Sequence, residues 1–171
     1  MLSFREYGGV DEIYEKIAAL RKLAGTMGRY GVRVLLHNHE HDLARVTDRD
    51  GTEKQIIDVF LDQLRPEELM LEVDTGWVQY VGGDPVAYVR EKLDRIAVLH
   101  FKDICREFRE VAREEIFVPC GKGAVDFQGV LDAIPAEKKA SMGFVIDQDA
   151  SGGDIVEDLV EALAYLHALR W

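Results

Sequence analysis

Four short apolar runs in the sequence each end on an imidazole or a carboxylate, the side chains that bind metal ions and move protons. The runs are VRVLL, LMLEV, IAVL and GFVI, and they lead into His37 with His39 close behind, Asp74, His100 and Asp147. Carboxylate oxygens together with one or two imidazoles suit a divalent ion such as Mn²⁺, Mg²⁺, Co²⁺ or Zn²⁺. These residues therefore predict a metal site, provided that the fold brings the four ends together.

Each of these residues also has a simpler interpretation. An Asp that follows a strand often caps the next helix or makes a turn, which applies to Asp74 and to Asp147. His100 is equally a candidate for a hydrogen-bonded core histidine. We expect His41 to be solvated and His167 to be structural. Other polar residues follow the same strands: Lys102, Asp103, Gln148 and Asp149.

The elements that must position these side chains alternate along the sequence. Apolar residues at helical spacing predict helices over VDEIYEKIAALRKLAGTMGRYG, TEKQIIDVFLDQL, DPVAYVREKL, DFQGVLDAI and GDIVEDLVEALAYLHAL. Asp84 is the expected N-cap of the third, with Pro85 at its first position. The apolar runs are strands, with EIFVP as a doubtful fifth. The order αβαβαβ(β)αβα predicts an α/β fold with parallel strands, whose carboxyl ends carry the site.

Two further stretches bear on a ligand. Trp77, in DTGWVQYVGGDP, is either a surface for the apolar face of a sugar or plain core. The glycine-rich PCGKGAVDF precedes a helix, and such loops can hold a phosphate on backbone N–H groups, with Lys122 as a possible contact. An ordinary turn is the competing interpretation of this loop, since it does not fit the longer phosphate-binding patterns.

Composition limits the class of protein. The 171 residues suggest one domain over 1–171. A net charge of −11 disfavours nucleic acid and anionic membrane as partners. Two cysteines make no disulfide scaffold, and MLSFREYGGV lacks the pattern of a signal peptide. We expect a soluble, reduced, cytoplasmic protein.

Longer segments resemble a known family, the sugar phosphate isomerase/epimerase family of xylose-isomerase-like TIM barrels. LLHNHEHDL resembles its YHNHxxEF segment, and LEVDTGWVQYVGGDPVAYVREKLDRIAVLHFKD resembles its LDxxW…aGxDPvxyi…Ri…lHlKD block. PCGKGAVDFQGVLDAI is similar to its GeGxvDfxxil segment, and FVIDQD to its vvEqD strand. The resemblance covers roughly residues 14–165, and the middle block is its specific part.

The resemblance implies a divalent metal held by Asp42, Asp74, His100 and Asp147. Asp42 and Asp147 stand where the family has Glu, one methylene longer, and His37 or His39 is the alternative to Asp42. Lys102 matches a lysine that contacts substrate oxygens. His39 and Trp77 are further candidates for substrate contact.

The chemistry implied is proton transfer beside a carbonyl through a metal-stabilised enediolate. Asp42, Asp147 or His37 would move the proton, with Lys102 on the substrate oxygens. Sugars and cyclitols are the implied substrates, and isomerisation, epimerisation and dehydration are the possible outcomes. The alternatives are an inactive metal- or sugar-binding remnant and a hydrolase of the related abasic-site endonuclease type, which the acidic charge and the few histidines disfavour.

The resemblance also implies that half of a barrel is absent. A family barrel of about 250 residues has eight strands, and the strands here correspond to strands five to eight. Exposed strand edges invite pairing with another chain. The sequence therefore predicts a half TIM barrel completed in a homodimer, with a fragment whose other half lies elsewhere as the rival.

Overall fold

The computed structural model of the chain describes residue 4 and residues 7–171. Residues 1–3, 5 and 6, which belong to the stretch MLSFREYGGV and its predicted lack of a signal peptide, lie outside the described residues. The chain divides into two compact units, residues 1–72 and 73–171, and each is described by itself. The single domain over 1–171 stays a prediction.

The first unit packs two helices with short strands. Helix α1 buries Ile13, Ile17, Leu20 and Ala24, which recur at helical spacing on one face. Its predicted extension to Gly31 is a short 3₁₀ turn instead. The elements are α1 (Val10–Met27), β1 (Leu35–His37), β2 (Arg45–Thr47), β3 (Glu53–Gln55), α2 (Ile56–Gln63) and the start of β4 (Met70–Asp74).

The second unit contains the remaining helices and strands. Aspartates cap its helices: Asp84 accepts from Val86 N at 2.9 Å, and Asp154 accepts from Val156 N at 2.8 Å. The elements are α3 (Thr75–Tyr80), α4 (Pro85–Lys92), β5 (Ile96–Phe101), β6 (Asp103–Ile104), β7 (Phe117–Val118), α5 (Phe127–Asp132), α6 (Ala136–Lys139), β8 (Gly143–Ile146) and α7 (Ile155–His167).

The main sheet confirms the predicted α/β class. Its four strands run in the order β1-β4-β5-β8, and β4 has residues in both units. In the first unit β1 pairs in parallel with β4, so that His37 lies opposite Glu72. In the second unit β5 pairs in parallel with β8, so that His100 lies opposite Val145. Among the described residues, no helix combines the length and the apolarity that crossing a bilayer requires.

Several short elements differ from the sequence prediction. The helix predicted from Thr52 begins at Ile56, because residues 53–55 pair instead with β2 in an antiparallel hairpin. Helix α3 and strand β6 were not predicted, since each is too short to show a period. The doubtful strand in EIFVP exists as β7, which pairs with β6.

Candidate active site

The second unit brings three of the predicted metal ligands together. One ligand atom from each of Asp74, His100 and Asp147 lies within 4.8 Å of the other two. Asp74 ends β4 and His100 lies near the end of β5. Asp147 follows β8, and its backbone N–H donates to Phe101 O at 3.1 Å. The carboxyl ends of these strands therefore form the cluster that the sequence pattern predicted for them.

Lys102 lies inside this cluster. Its Nζ donates to Asp149 Oδ2 at 2.8 Å and forms ion pairs with Asp74 Oδ2 at 3.0 Å and with Asp147 Oδ2 at 3.1 Å. The side chain is only 1% exposed, and Asp74 is fully buried. The ammonium group thus stabilises three carboxylates that would otherwise repel one another at close range.

Burial and neighbouring charges shift the pKa values of these groups in different directions. Burial raises the pKa of Asp74 to about 6, against the opposing effect of Lys102. The hydrogen bond from His100 Nδ1, at 3.0 Å, holds the pKa of Asp147 well below its ordinary value, and Lys102 adds to this. Burial would lower the pKa of Lys102, but the surrounding carboxylates raise it to about 12.

The donor set fits a divalent cation. Two carboxylates and one imidazole are ligand types that Mn²⁺, Mg²⁺, Co²⁺ and Zn²⁺ accept. Three carboxylates around one ammonium leave an excess of two negative charges, which one divalent ion would balance. The shorter side chain of Asp147 still reaches both His100 and Lys102, so the Asp in place of Glu does not remove it from the cluster.

Asp74 also caps a helix, which confirms the simpler interpretation of this residue, while its role as a metal ligand stays a prediction. Its Oδ1 accepts from Trp77 N at 3.1 Å, at the start of α3. Trp77 is 2% exposed and packs with Ile104, Ile116 and Phe117, as expected of core. Its indole also lies 5.2 Å from Lys102 Nζ, and its contact with substrate stays a prediction.

The three histidines of the HNHEHD segment belong to the first unit, with His37 at the end of β1 and His39 and His41 after it. Ligand atoms of His39, His41 and Asp42 lie within 4.8 Å of one another. Asp42 accepts from His39 N at 2.8 Å and from the hydroxyl of Tyr7. Burial raises the pKa of Asp42. This carboxylate therefore stabilises the turn of the HNHEHD segment, and its role as a metal ligand stays a prediction.

His37 and His41 each have an acidic neighbour. His37 Nδ1 lies 3.4 Å from Glu72 Oε1, and both side chains are buried. His41, which we expected to be solvated, is partly buried and lies 3.4 Å from Asp42 Oδ2. The prediction that His37 moves a proton and that His39 contacts substrate remains open.

The glycine-rich loop binds a carboxylate of the chain itself. Asp103 accepts four backbone N–H groups, at 2.9 to 3.0 Å, from Ile104, Gly121, Gly123 and Val125. A Cβ at Gly123 would lie 2.2 Å from Ile104 O, so only glycine fits there. Lys122 pairs with Glu161 at 2.7 Å. The turn interpretation is therefore favoured over the phosphate cradle, because Asp103 uses the amides that a phosphate would need.

Sequence reasoning left two residues of the cluster without a role. Asp149 contacts Lys102 from a position two residues after Asp147, and its place in the QD pair of FVIDQD was the available signal. Thr75 Oγ1 lies 3.1 Å from the carbonyl oxygens of His100 and Lys102. No sequence pattern predicts this role of the Thr75 hydroxyl, because its partners are backbone atoms 25 and 27 residues away.

Comparisons with known proteins agree with this architecture. Residues 6–169 match the family model described as xylose isomerase-like TIM barrel. Inosose dehydratase of Lacticaseibacillus casei is 25% identical over 173 residues, which cover 92% of this chain and 55% of that protein. The chain thus spans about half the length of the curated relatives it matches.

Solved structures give the same fold. A sugar phosphate isomerase/epimerase of Parabacteroides distasonis superimposes with a TM-score of 0.76 at 19% identity, over 98% of this chain and 55% of that one. The probable 3-DHS dehydratase AsbF of Bacillus anthracis superimposes with a TM-score of 0.65 at 17% identity, over 99% of this chain and 64% of that one. The described strands and helices therefore correspond to part of a TIM barrel.

Proposed function

This chain belongs to the xylose isomerase-like TIM barrel family, and on that premise we propose that it is a divalent-metal-dependent enzyme. Its reaction would be the transfer of a proton at the carbon next to a carbonyl, in a sugar or a cyclitol. The observation that carries the proposal is the cluster of Asp74, His100 and Asp147 within 4.8 Å. The products of such a step are isomers or epimers.

Asp74, His100 and Asp147 would hold the metal, with Asp42 as the fourth ligand by resemblance to the family. When bound, the ion would supply Lewis-acid polarisation of the substrate carbonyl. The identity of the ion is left open among Mn²⁺, Mg²⁺, Co²⁺ and Zn²⁺, because all four accept these ligands.

Lys102 would bind and orient the substrate oxygen on which negative charge develops. Its Nζ forms ion pairs with three carboxylates and donates a hydrogen bond to Asp149, and a substrate oxyanion is an acceptor of the same kind. A buried, positioned ammonium stabilises such charge more than water does. Asp147, or Asp42 or His37 of the first unit, would accept the proton and return it.

Dehydration is a second candidate for the outcome. Relatives that cover 92% of this chain are named inosose dehydratase, and an inosose is a keto cyclitol. Removal of a proton beside a carbonyl followed by loss of hydroxide from the next carbon is a dehydration. The first half of this reaction is the same proton transfer, so the proposed residues keep their roles.

The active form would be a homodimer in which two half barrels cover each other's sheets. The chain spans about half of its relatives, and β8 is an edge strand of the described sheet. Helix α7 exposes apolar side chains: Val156 is 63% exposed and Val160 is 63% exposed. Burial of such a face is the main source of free energy for association.

The first test measures metal content and proton exchange in the same preparations. We expect the wild type to bind about one divalent ion per chain and to exchange the proton beside the carbonyl of a keto sugar or an inosose for deuterium in D₂O. Asp74→Asn and His100→Asn should lose the ion and at least about 100-fold in exchange rate. Asp94→Asn, on an exposed acid of the same unit, is the control and should match the wild type.

Two outcomes would contradict the proposal. Metal binding without exchange on any keto sugar or inosose would identify a metal-binding remnant of the family. Metal binding that persists in both Asp74→Asn and His100→Asn would place the metal outside this cluster.

A further inference from the structure

The second unit has a pocket apart from the Asp74 cluster. Its volume is about 380 Å³, and it is lined by Tyr80, Phe108, Arg109, Val111, Arg113 and Ile116. Of these, Ile116 belongs to a buried cluster with Trp77, Ile104 and Phe117, against which Tyr80 and Phe108 also pack. Buried aromatic and aliphatic side chains thus support the pocket, although its rim is a loop.

The two arginines of the pocket stack on its aromatic rings. The guanidinium carbon of Arg113 lies 4.8 Å from the centroid of Trp77 and 5.9 Å from that of Tyr80. The guanidinium carbon of Arg109 lies 5.2 Å from the centroid of Phe108. A stacked guanidinium offers its flat face to the ring and directs its N–H groups sideways, in its own plane. Stacking therefore orders these side chains and is compatible with binding an anion at their edges.

The charge of the pocket is opposite to that of the chain. The chain carries a formal charge of −11, whereas the described side chains that line the pocket include two cations and no acid. Glu107 and Glu110 belong to the same segment but are not among these lining residues. Arginine is the side chain that matches the geometry of phosphate and carboxylate groups with two parallel hydrogen bonds.

We propose that the pocket lined by Arg109, Arg113, Tyr80 and Phe108 binds an oxyanion, the phosphate or carboxylate group of a small molecule. Ile116 lines the pocket and packs in one cluster with Trp77, whose indole lies 5.2 Å from Lys102 Nζ. The site is independent of the metal chemistry, since none of its lining residues is a proposed metal ligand.

Calorimetric titration of the full chain with inorganic phosphate, and separately with acetate, tests this site. We expect Arg109→Gln and Arg113→Gln each to weaken binding by about tenfold, which is the effect of losing a charge-assisted hydrogen bond. Arg106→Gln is the matched control, because Arg106 is exposed in the same segment and does not line the pocket. Tighter binding of phosphate would indicate a phosphorylated ligand, and tighter binding of acetate a carboxylate.

Two further variants distinguish binding at the arginines from binding at the metal cluster and from loss of folding. Phosphate that binds to a metal at the Asp74 cluster would be lost in Asp74→Asn and kept in Arg109→Gln, and this result would overturn the proposal. Arg113→Lys keeps the charge if Arg113→Gln does not fold, and it should retain part of the affinity. Absence of binding to the wild type, or equal binding by the wild type and Arg109→Gln, would also overturn the proposal.

Discussion

Lys102 has the most demanding environment of any single residue in the candidate site. The buried ammonium contacts Asp74, Asp147 and Asp149, and the faces of Trp77 and Phe117 lie 5.2 and 5.6 Å from it. The resemblance to the family implies that this lysine contacts substrate oxygens, which stays a prediction. Its second role, as the counterion of three carboxylates, depends on side chains up to 47 residues away and has no signature in the local sequence.

Removal of Lys102 should therefore destabilise the protein strongly. Lys102→Met leaves Asp74 buried without its cation, and loss of one partner of a buried pair costs about 3 to 5 kcal/mol of unfolding free energy. Denaturant unfolding in the presence of a chelator measures this loss. Lys122→Met is the control, because the exposed pair of Lys122 with Glu161 is worth about 1 kcal/mol or less.

A divalent ion should compensate for part of that loss. Added Mn²⁺ places positive charge among the same carboxylates, so it should stabilise Lys102→Met more than it stabilises the wild type. Equal destabilisation by Lys102→Met and Lys122→Met would contradict the role of Lys102 as counterion.

At the scale of elements, ionic contacts stabilise the β2–β3 hairpin. Apolar spacing had predicted that residues 53–55 of this hairpin belong to a helix. Lys54 Nζ donates to Asp48 at 2.9 Å, to Asp62 at 3.0 Å and to Asp50 at 3.2 Å. The turn has Gly51 at a φ of 84°, a conformation that glycine adopts without strain. Charged side chains carry no hydrophobic period, so the helix was predicted to begin at Thr52 rather than at Ile56.

The hairpin should lose stability at acidic pH. Hydrogen bonds from Thr52 lower the pKa of Asp50 from 3.8 to about 2. Burial acts to raise the pKa of Asp48, but hydrogen bonds from Lys54, Arg49 and Tyr14 hold it below the ordinary value. Since both folded-state pKa values are depressed, their contribution to stability is present above pH 3.8 and is lost as the pH falls toward 2.

Thermal unfolding between about pH 6 and pH 2 measures this effect. We expect Lys54→Gln to be less stable than the wild type near neutral pH and the difference to shrink below pH 3.8. Lys22→Gln, on an exposed lysine of α1, should show no such convergence. A difference between Lys54→Gln and the wild type that is constant over the whole range would contradict the assignment.

At the scale of the whole molecule, the proposed homodimer rests on the number of strands. Four parallel strands make half of an eight-stranded barrel, and an open edge is a site for pairing. Charge opposes self-association, since each chain carries −11. The proposed homodimer would therefore depend on apolar burial, for which α7 offers exposed apolar side chains such as Val156 and Val160.

A charged substitution on α7 should disrupt such a dimer. Val160→Asp places a carboxylate in the apolar face, and an unpaired buried charge is too costly to retain in an interface. Size-exclusion chromatography with light scattering should show a dimer for the wild type and a monomer for Val160→Asp. Val32→Asp, on a valine of the first unit that is 46% exposed, is the control and should remain dimeric. A monomeric wild type would refute the dimer.

The sequence by itself determined the class of fold and three of the clustered residues. Apolar strands, helical spacing and Asp–Pro capping are local signals, and they placed β1, β4, β5, β8 and the long helices. Asp74, His100 and Asp147 were identified because parallel strands bring their carboxyl ends to one edge. Tertiary structure alone decided what the glycine-rich loop binds, how Lys102 is shared among three acids, and which arginines line a pocket. These features depend on contacts between residues that are distant along the chain. Neither the spacing of apolar residues nor the composition can predict such contacts.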